Sequence, residues 1–192
     1  MKTDFEKTLD SSINLKKKLL NSESEINKII NVITSSLKNG NKILICGNGG
    51  SAGDAQHLAA EFLIRLNPKI NRRPFPVLNL AQDTSTITAC GNDIGFENIF
   101  LRNLIAFGRK GDVLIVISTS GNSKNIIKVA NYAFKKKIKC VGFLGNKGGK
   151  VKKYCDSKLI VPSNNTARIQ ECHIFFGHYI FNAVEKLLLK RK

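Results

Sequence analysis

The sequence predicts an α/β fold, a three-layer sandwich in which a five-stranded, largely parallel sheet lies between helices. Three observations carry this expectation. Short apolar runs alternate with helix-length segments along the 192 residues. The runs are apolar throughout rather than every second residue, as strands covered on both faces must be. Several are followed by a turn rich in glycine or hydroxyl residues and then by a helical pattern, the order of a βαβ chain.

The first 40 or so residues read as a helical segment ahead of the first strand. It comprises helices from about Phe5 to Leu20 and from Glu23 to Leu37, the second opened by a Ser22–Glu25 capping-box pattern and closed by Gly40. Strands are expected at Ile43 to Cys46, Val77 to Leu80, Val113 to Ile117, Val141 to Leu144 and Leu159 to Val161, and a long final helix from about Thr166 to Lys190. With 42% hydrophobic residues the chain can bury one substantial core, so a single domain over 1–192 is expected. The N-terminus carries Asp4 and Glu6 and no unbroken apolar run, which argues against a secretory signal and for a cytoplasmic protein without a membrane span. The five cysteines lack CxxC spacing and read as reduced packing residues.

A net charge of +17 calls for an anionic partner, and a polyanion is the bold choice. Only seven of the 31 basic residues are arginine, and no basic run is interleaved with aromatic residues as stacking on bases requires. Nucleic-acid binding is therefore disfavoured.

Two loops carry the chemistry. Gly47-Asn48-Gly49-Gly50-Ser51 follows the first strand, with a helix expected to begin near Gly53 or Asp54. Its glycines allow tight turning and close backbone approach, so that amides and a helix N-terminus can face an anion; read alone, it is also compatible with a plain tight turn. It lacks the Gly-Lys-Ser/Thr of a nucleotide P-loop. It also lacks the acidic residue that a dinucleotide fingerprint places about 20 positions on, Asp83 coming too late. The third strand runs into Ser118-Thr119-Ser120-Gly121-Asn122-Ser123, hydroxyls and amides at a helix start that make a nest for a phosphate monoester, although Ser123 is equally an ordinary N-cap.

His57 and Glu61 stand one helical turn apart, so their side chains share a face and can converge on one atom. The other two histidines, His173 and His178, fall on the final helix, and His173 is the one assigned to packing.

Together these segments resemble the sugar isomerase (SIS) domain family and, within it, the phosphoheptose isomerases. The resemblance runs from about Lys42 to Glu185 and rests on the glycine loop, His57 to Glu61, Gly91-Asn92-Asp93, Gly111-Asp112-Val113, Ile117 to Ser123 and Ala167-Arg168-Ile169-Gln170-Glu171, all in family order. Leu66 to Arg73 resembles only part of the family, and the terminal Lys190-Arg191-Lys192 is idiosyncratic.

The resemblance implies a flavodoxin-like sheet and the conversion of D-sedoheptulose 7-phosphate to D-glycero-D-manno-heptose 7-phosphate, which feeds activated heptose to bacterial surface polysaccharide. It implies substrate contacts at Asn48, Gly49, Gly50, Ser51, Glu61, Asn92, Asp93, Ser118, Thr119, Ser120, Ser123 and Gln170. It implies one zinc ion per subunit on His57, Glu61, Gln170 and His178, and a homotetramer with its sites between subunits. Ketose–aldose isomerisation needs two proton carriers, and Glu61 as base with His178 as partner acid fill these roles, in an order that can be exchanged. Gln170 and His178 stand about 12 Å apart along an ideal helix, which favours ligands drawn from two subunits. The alternative from another class is a non-catalytic SIS-domain protein that binds a partner such as the bacterial replication initiator. Retention of both Glu61 and His178 argues against it.

Overall fold

A computed structural model describes residues 1–81 and 83–190, so Arg191 and Lys192 of the idiosyncratic tail lie outside the described residues. Helices α1 (Asp4–Lys18) and α2 (Glu23–Lys38) are joined by a 3-10 turn, Leu19–Ser22. Then come β1 (Ile43–Gly47), α3 (Gly50–Leu63), β2 (Val77–Asn79), α4 (Thr84–Asp93), α5 (Ile99–Phe107), β3 (Val113–Ser118), α6 (Lys124–Lys135), β4 (Lys139–Gly145), β5 (Ser157–Val161) and α7 (Thr166–Leu189).

The sheet is wholly parallel, in the order β2-β1-β3-β4-β5. Because parallel crossovers are right-handed, the direction of travel across the sheet decides which face a helix covers. The step from β1 out to β2 puts α3 on one face, and the later steps through β3 and β4 put α4, α5 and α6 on the other. Strand residues alternate accordingly: Ile43, Ile45, Ile115, Ile117 and Phe143 pack beneath α2, α3 and α7, whereas Leu44, Cys46, Leu114, Val116 and Cys140 face α4 to α6. The direction reverses between β1 and β3, the neighbours at the centre of the sheet, and ligands of such sheets sit beyond the carboxyl ends of strands at that point.

Two local expectations are corrected. Ser22 makes no side-chain cap, because the chain enters α2 through a 3-10 turn and Glu25 is engaged by the Lys158 amide at 3.0 Å. The reciprocal box forms at the start of α1, where the Glu6 amide donates to Thr3 Oγ1 at 3.2 Å and the Thr3 amide donates to Glu6 Oε2 at 2.7 Å. Helix α3 starts at Gly50, not near Gly53 or Asp54, so the second half of the glycine loop is already helical.

Candidate active site

The two signature loops meet at the reversal point. Gly47 closes β1 so tightly against the first turn of α3 that a Cβ there would overlap the Ser51 backbone, and Gly49 turns the chain at φ +56°. Among the described residues no side chain caps this end of α3; the Ser51 and Ala52 amides donate back to the Asn48 and Gly49 carbonyls, each at 3.0 Å, which closes the loop on itself. Ser51 itself is buried in that turn.

In the second loop, Ser118 Oγ accepts from the Gly121 amide at 3.0 Å and Ser120 Oγ accepts from the Asn122 amide at 3.1 Å. Each hydroxyl keeps its own proton to donate. Ser123 stands at the N-cap position of α6 but makes no cap hydrogen bond, so the plain N-cap reading does not account for its hydroxyl. Thr119 lies between them, half-buried. The loop is propped from behind: Gly121 and Gly148 touch backbone to backbone, and the Lys150 amide donates to Asn122 Oδ1 at 3.0 Å.

A residue that the sequence reading passed over joins the two loops. Asn125, buried in the first turn of α6, exchanges amide hydrogen bonds with Asn48, at 2.9 Å in one direction and 2.8 Å in the other. A polar side chain beside Ile126 on the core face of an otherwise apolar stripe is the signal that points to it.

The histidine and carboxylate pair is completed from the far end of the chain. Both α3 and α7 follow strands of one parallel sheet and cover the same face, so they run side by side in the same direction. Gly177 makes this close, since a Cβ there would press into Leu58. At that level His57 Nε2 lies 2.8 Å from His178 Nε2, with the rings edge to face, and 3.5 Å from Glu61 Oε1. The donor atoms of His57, Glu61 and His178 all fall within 4.8 Å of one another.

One chain thus supplies all three of these groups, and the expectation of ligands drawn from two subunits is not needed for them. The separation of about 12 Å applies to Gln170 and His178 on one helix, whereas these three donors come from two parallel helices. Gln170 packs against Gly50, at the other end of the α3–α7 contact and two turns from His178.

Two nitrogens and one carboxylate oxygen are a donor set that zinc accepts. In a tetrahedral zinc site, neighbouring donors lie about 3.3 Å apart. The 3.5 Å edge between His57 and Glu61 already has that length, and the 2.8 Å histidine pair has to open by about half an ångström. His57, Glu61 and His178 fit the ion; Gln170 of the same chain is not brought to them.

His173 is wholly buried, as the packing assignment expected, but among the described residues neither ring nitrogen has a hydrogen-bond partner; burial pushes its pKa down to about 4, partly offset by the nearby Leu144 backbone. Asp54, one turn before His57, has its carboxyl raised by burial, partly offset by His57. Asn92 and Asp93 end α4 on the surface, hydrogen-bonded to each other at 2.8 Å and to neither loop. Arg168 and Glu171, in the polar stretch before His173, tie α7 to α1 through the Thr8 carbonyl and the Ser12 hydroxyl.

The SIS-domain family matches residues 9–145. The phosphoheptose isomerase of Clostridium acetobutylicum is 46% identical over 195 residues, covering 100% of this chain and 98% of that protein. The chain belongs to the phosphoheptose isomerase family of SIS-domain proteins. The family member from Aneurinibacillus thermoaerophilus is 48% identical over 187 residues, covering 96% of this chain and 93% of its own length. Among solved structures, a phosphoheptose isomerase from Francisella tularensis superposes with a TM-score of 0.90 at 35% identity, over 96% of this chain and 100% of that one. The five-stranded sheet flanked by N-terminal helices and a long C-terminal helix is therefore the family's fold as well as this chain's.

Proposed function

We propose that this chain isomerises D-sedoheptulose 7-phosphate to D-glycero-D-manno-heptose 7-phosphate, with the phosphate held by the Ser118–Ser123 loop and the proton moved by Glu61 and His178. The observation that carries the reading is the convergence of His57, Glu61 and His178 from two parallel helices, in a chain 46% identical to a phosphoheptose isomerase along its whole length.

Ser118, Thr119, Ser120 and Ser123 donate to phosphate oxygens at the start of α6, where the helix dipole also favours an anion. Asn48 is held by Asn125 and orients the glycine-loop amides of Gly49 and Gly50 toward the sugar, while Gln170 lies over Gly50 to meet a hydroxyl. Glu61 takes the C1 proton of the ketose while His178 protonates O2; the enediol then collapses as O1 returns a proton to His178 and Glu61 delivers a solvent-exchangeable proton to C2, so both carriers end as they began. His57, one turn from Glu61, holds His178 in place. A zinc ion on His57, Glu61 and His178 would supply positive charge for the oxygen that becomes negative as the proton leaves; Gln170 of the same chain, two turns from His178, stands outside that set.

We further propose a cytoplasmic homotetramer with its sites between subunits. On α1, Phe5, Leu9 and Ile13 form an exposed apolar stripe, and on α7 Phe175 and Tyr179 do the same; a second copy is the natural cover for both. Three turns of α3, about 16 Å, separate Gly50 from Glu61, a gap that a neighbouring subunit's loops shorten. Asn92 and Asp93 reach a sugar most simply across the same boundary. No helix among the described residues is long and apolar enough to cross a membrane, and the five buried cysteines are free, in keeping with a reducing compartment.

The test is direct: purified protein is given sedoheptulose 7-phosphate, with and without a zinc chelator. Aldoheptose 7-phosphate should appear, slow after chelation and recover with zinc. No product under either condition would turn the reading toward a non-catalytic binding module.

A further inference from the structure

Arg72 lies in the connection between α3 and β2, the part of the sequence with only partial family resemblance, yet its side chain is 1% exposed. It donates through Nε to Glu185 Oε1 on α7, a carboxylate that is 0% exposed. Its other nitrogens reach the end of α3: Nη2 donates to the Glu61 carbonyl at 3.1 Å and Nη1 to the Phe62 carbonyl at 3.0 Å. Below, the guanidinium stacks 4.1 Å from the centre of the Phe75 ring, and Phe75 packs edge to face on Phe62.

This arrangement is difficult to explain as stabilisation. A buried ion pair gains little over apolar residues of the same size, and among the described residues Glu185 Oε2 has no hydrogen-bond partner. What the pair does have is geometry. One planar fork grips the last-turn carbonyls of α3, including that of Glu61, while its remaining arm grips α7 two turns beyond His178. Those two helices carry the whole His57, Glu61 and His178 cluster.

The geometry points to Arg72 and Glu185 as a positioning pair: by fixing the end of α3 to α7, they set the separation of Glu61 and His57 from His178. This rests on the reading of that cluster as the working site, and neither residue touches substrate.

The test compares the full-length protein with Arg72→Lys, which keeps the charge but cannot grip both carbonyls and the carboxylate together, and with the double variant Arg72→Met/Glu185→Leu, which removes both charges. Two readouts are independent of activity. In metal-free protein, imidazole nitrogen NMR reports the His57–His178 contact; zinc affinity is then measured by competition with a chelator. In both variants the histidine contact should be lost or weakened, and zinc affinity and kcat should fall about 10- to 100-fold while KM changes less than about threefold. Thermal melting shows that each variant is folded. If the double variant does not fold, Arg72→Lys decides. A folded variant with a wild-type histidine contact and zinc affinity would overturn the positioning role, leaving the pair as packing alone. A wild-type protein that binds no zinc and makes no aldose would instead overturn the functional reading, with the histidine contact still reporting on the pair.

Discussion

On the face of the sheet covered by α4, α5 and α6, the buried polar side chains are satisfied: Asn103 donates to two backbone carbonyls and Asn125 pairs with Asn48. On the face covered by α2, α3 and α7, Ser36 is satisfied by the Gly111 carbonyl, but several others are not. Among the described residues, the buried side-chain atoms without a hydrogen-bond partner belong to Thr34, Asp54, Arg168, His173 and Glu185, all on those three helices. A buried polar group without a partner costs about 1 to 3 kcal/mol, so a fold carries several together only where something other than stability shaped the packing. Four of these five residues lie on α3 and α7, the two helices that bring His57, Glu61 and His178 together. Departures from good packing chemistry mark the working side of this sandwich.

That contrast can be broken most forcefully at Glu61. Glu61→Gln keeps the shape but loses the base, and turnover should fall on the order of 10² to 10⁴ while sugar-phosphate affinity stays within about tenfold, read by steady-state kinetics and a binding titration. An unchanged rate would make the carboxylate structural and the faces equivalent. The loop that opens onto the other face should act on binding instead. Ser120→Ala with Ser123→Ala removes two hydrogen bonds to a charged group, each contributing about 1.5 to 3 kcal/mol, and should weaken binding on the order of a hundredfold or more in calorimetry. Unchanged affinity would put the phosphate elsewhere.

Stability sharpens the comparison. His173 is neutral and buried, with a pKa of about 4 against an ordinary 6.5. As pH falls, the unfolded chain takes up its proton first, so stability is fully present above pH 6.5 and declines through the window down to about 4, by about 3 kcal/mol in all. In urea denaturation, His173→Leu should remove that part of the slope. On the other face, Leu104→Ala should cost about 2 to 5 kcal/mol at every pH and leave the slope in place. The smallest effect separates the two candidate caps: Thr3→Ala should lose about 1 kcal/mol and Ser22→Ala almost nothing, because only Thr3 accepts a helix amide.

The strands were legible to within a residue or two at most ends because apolar runs covered on both sides leave little choice of register. The start of α3 was not, since Gly50-Ser51-Ala52-Gly53 has the composition of a loop and becomes helical only through the tight turn at Gly47 and Gly49. Ser22 and Glu25 had the spacing of a capping box, but tertiary contact with β5 claimed the carboxylate. At the site, the one-turn spacing of His57 and Glu61 was readable, whereas their meeting with His178 depends on two parallel helices far apart in sequence. Glu185 left a trace, a charge at the helical phase of His173, Gly177 and Phe181, but only its partner Arg72 gives that trace a meaning.

The central claim is that Glu61 moves a proton between the sugar and a solvent-exchangeable group, and isomerisation in deuterium oxide tests it most directly. With wild-type protein and sedoheptulose 7-phosphate, the aldose should carry solvent deuterium at C2 and the recovered ketose at C1, and in Glu61→Gln both signals should fall together with turnover. Aldose formed without deuterium, or wash-in that persists at the wild-type rate in Glu61→Gln, would contradict the account.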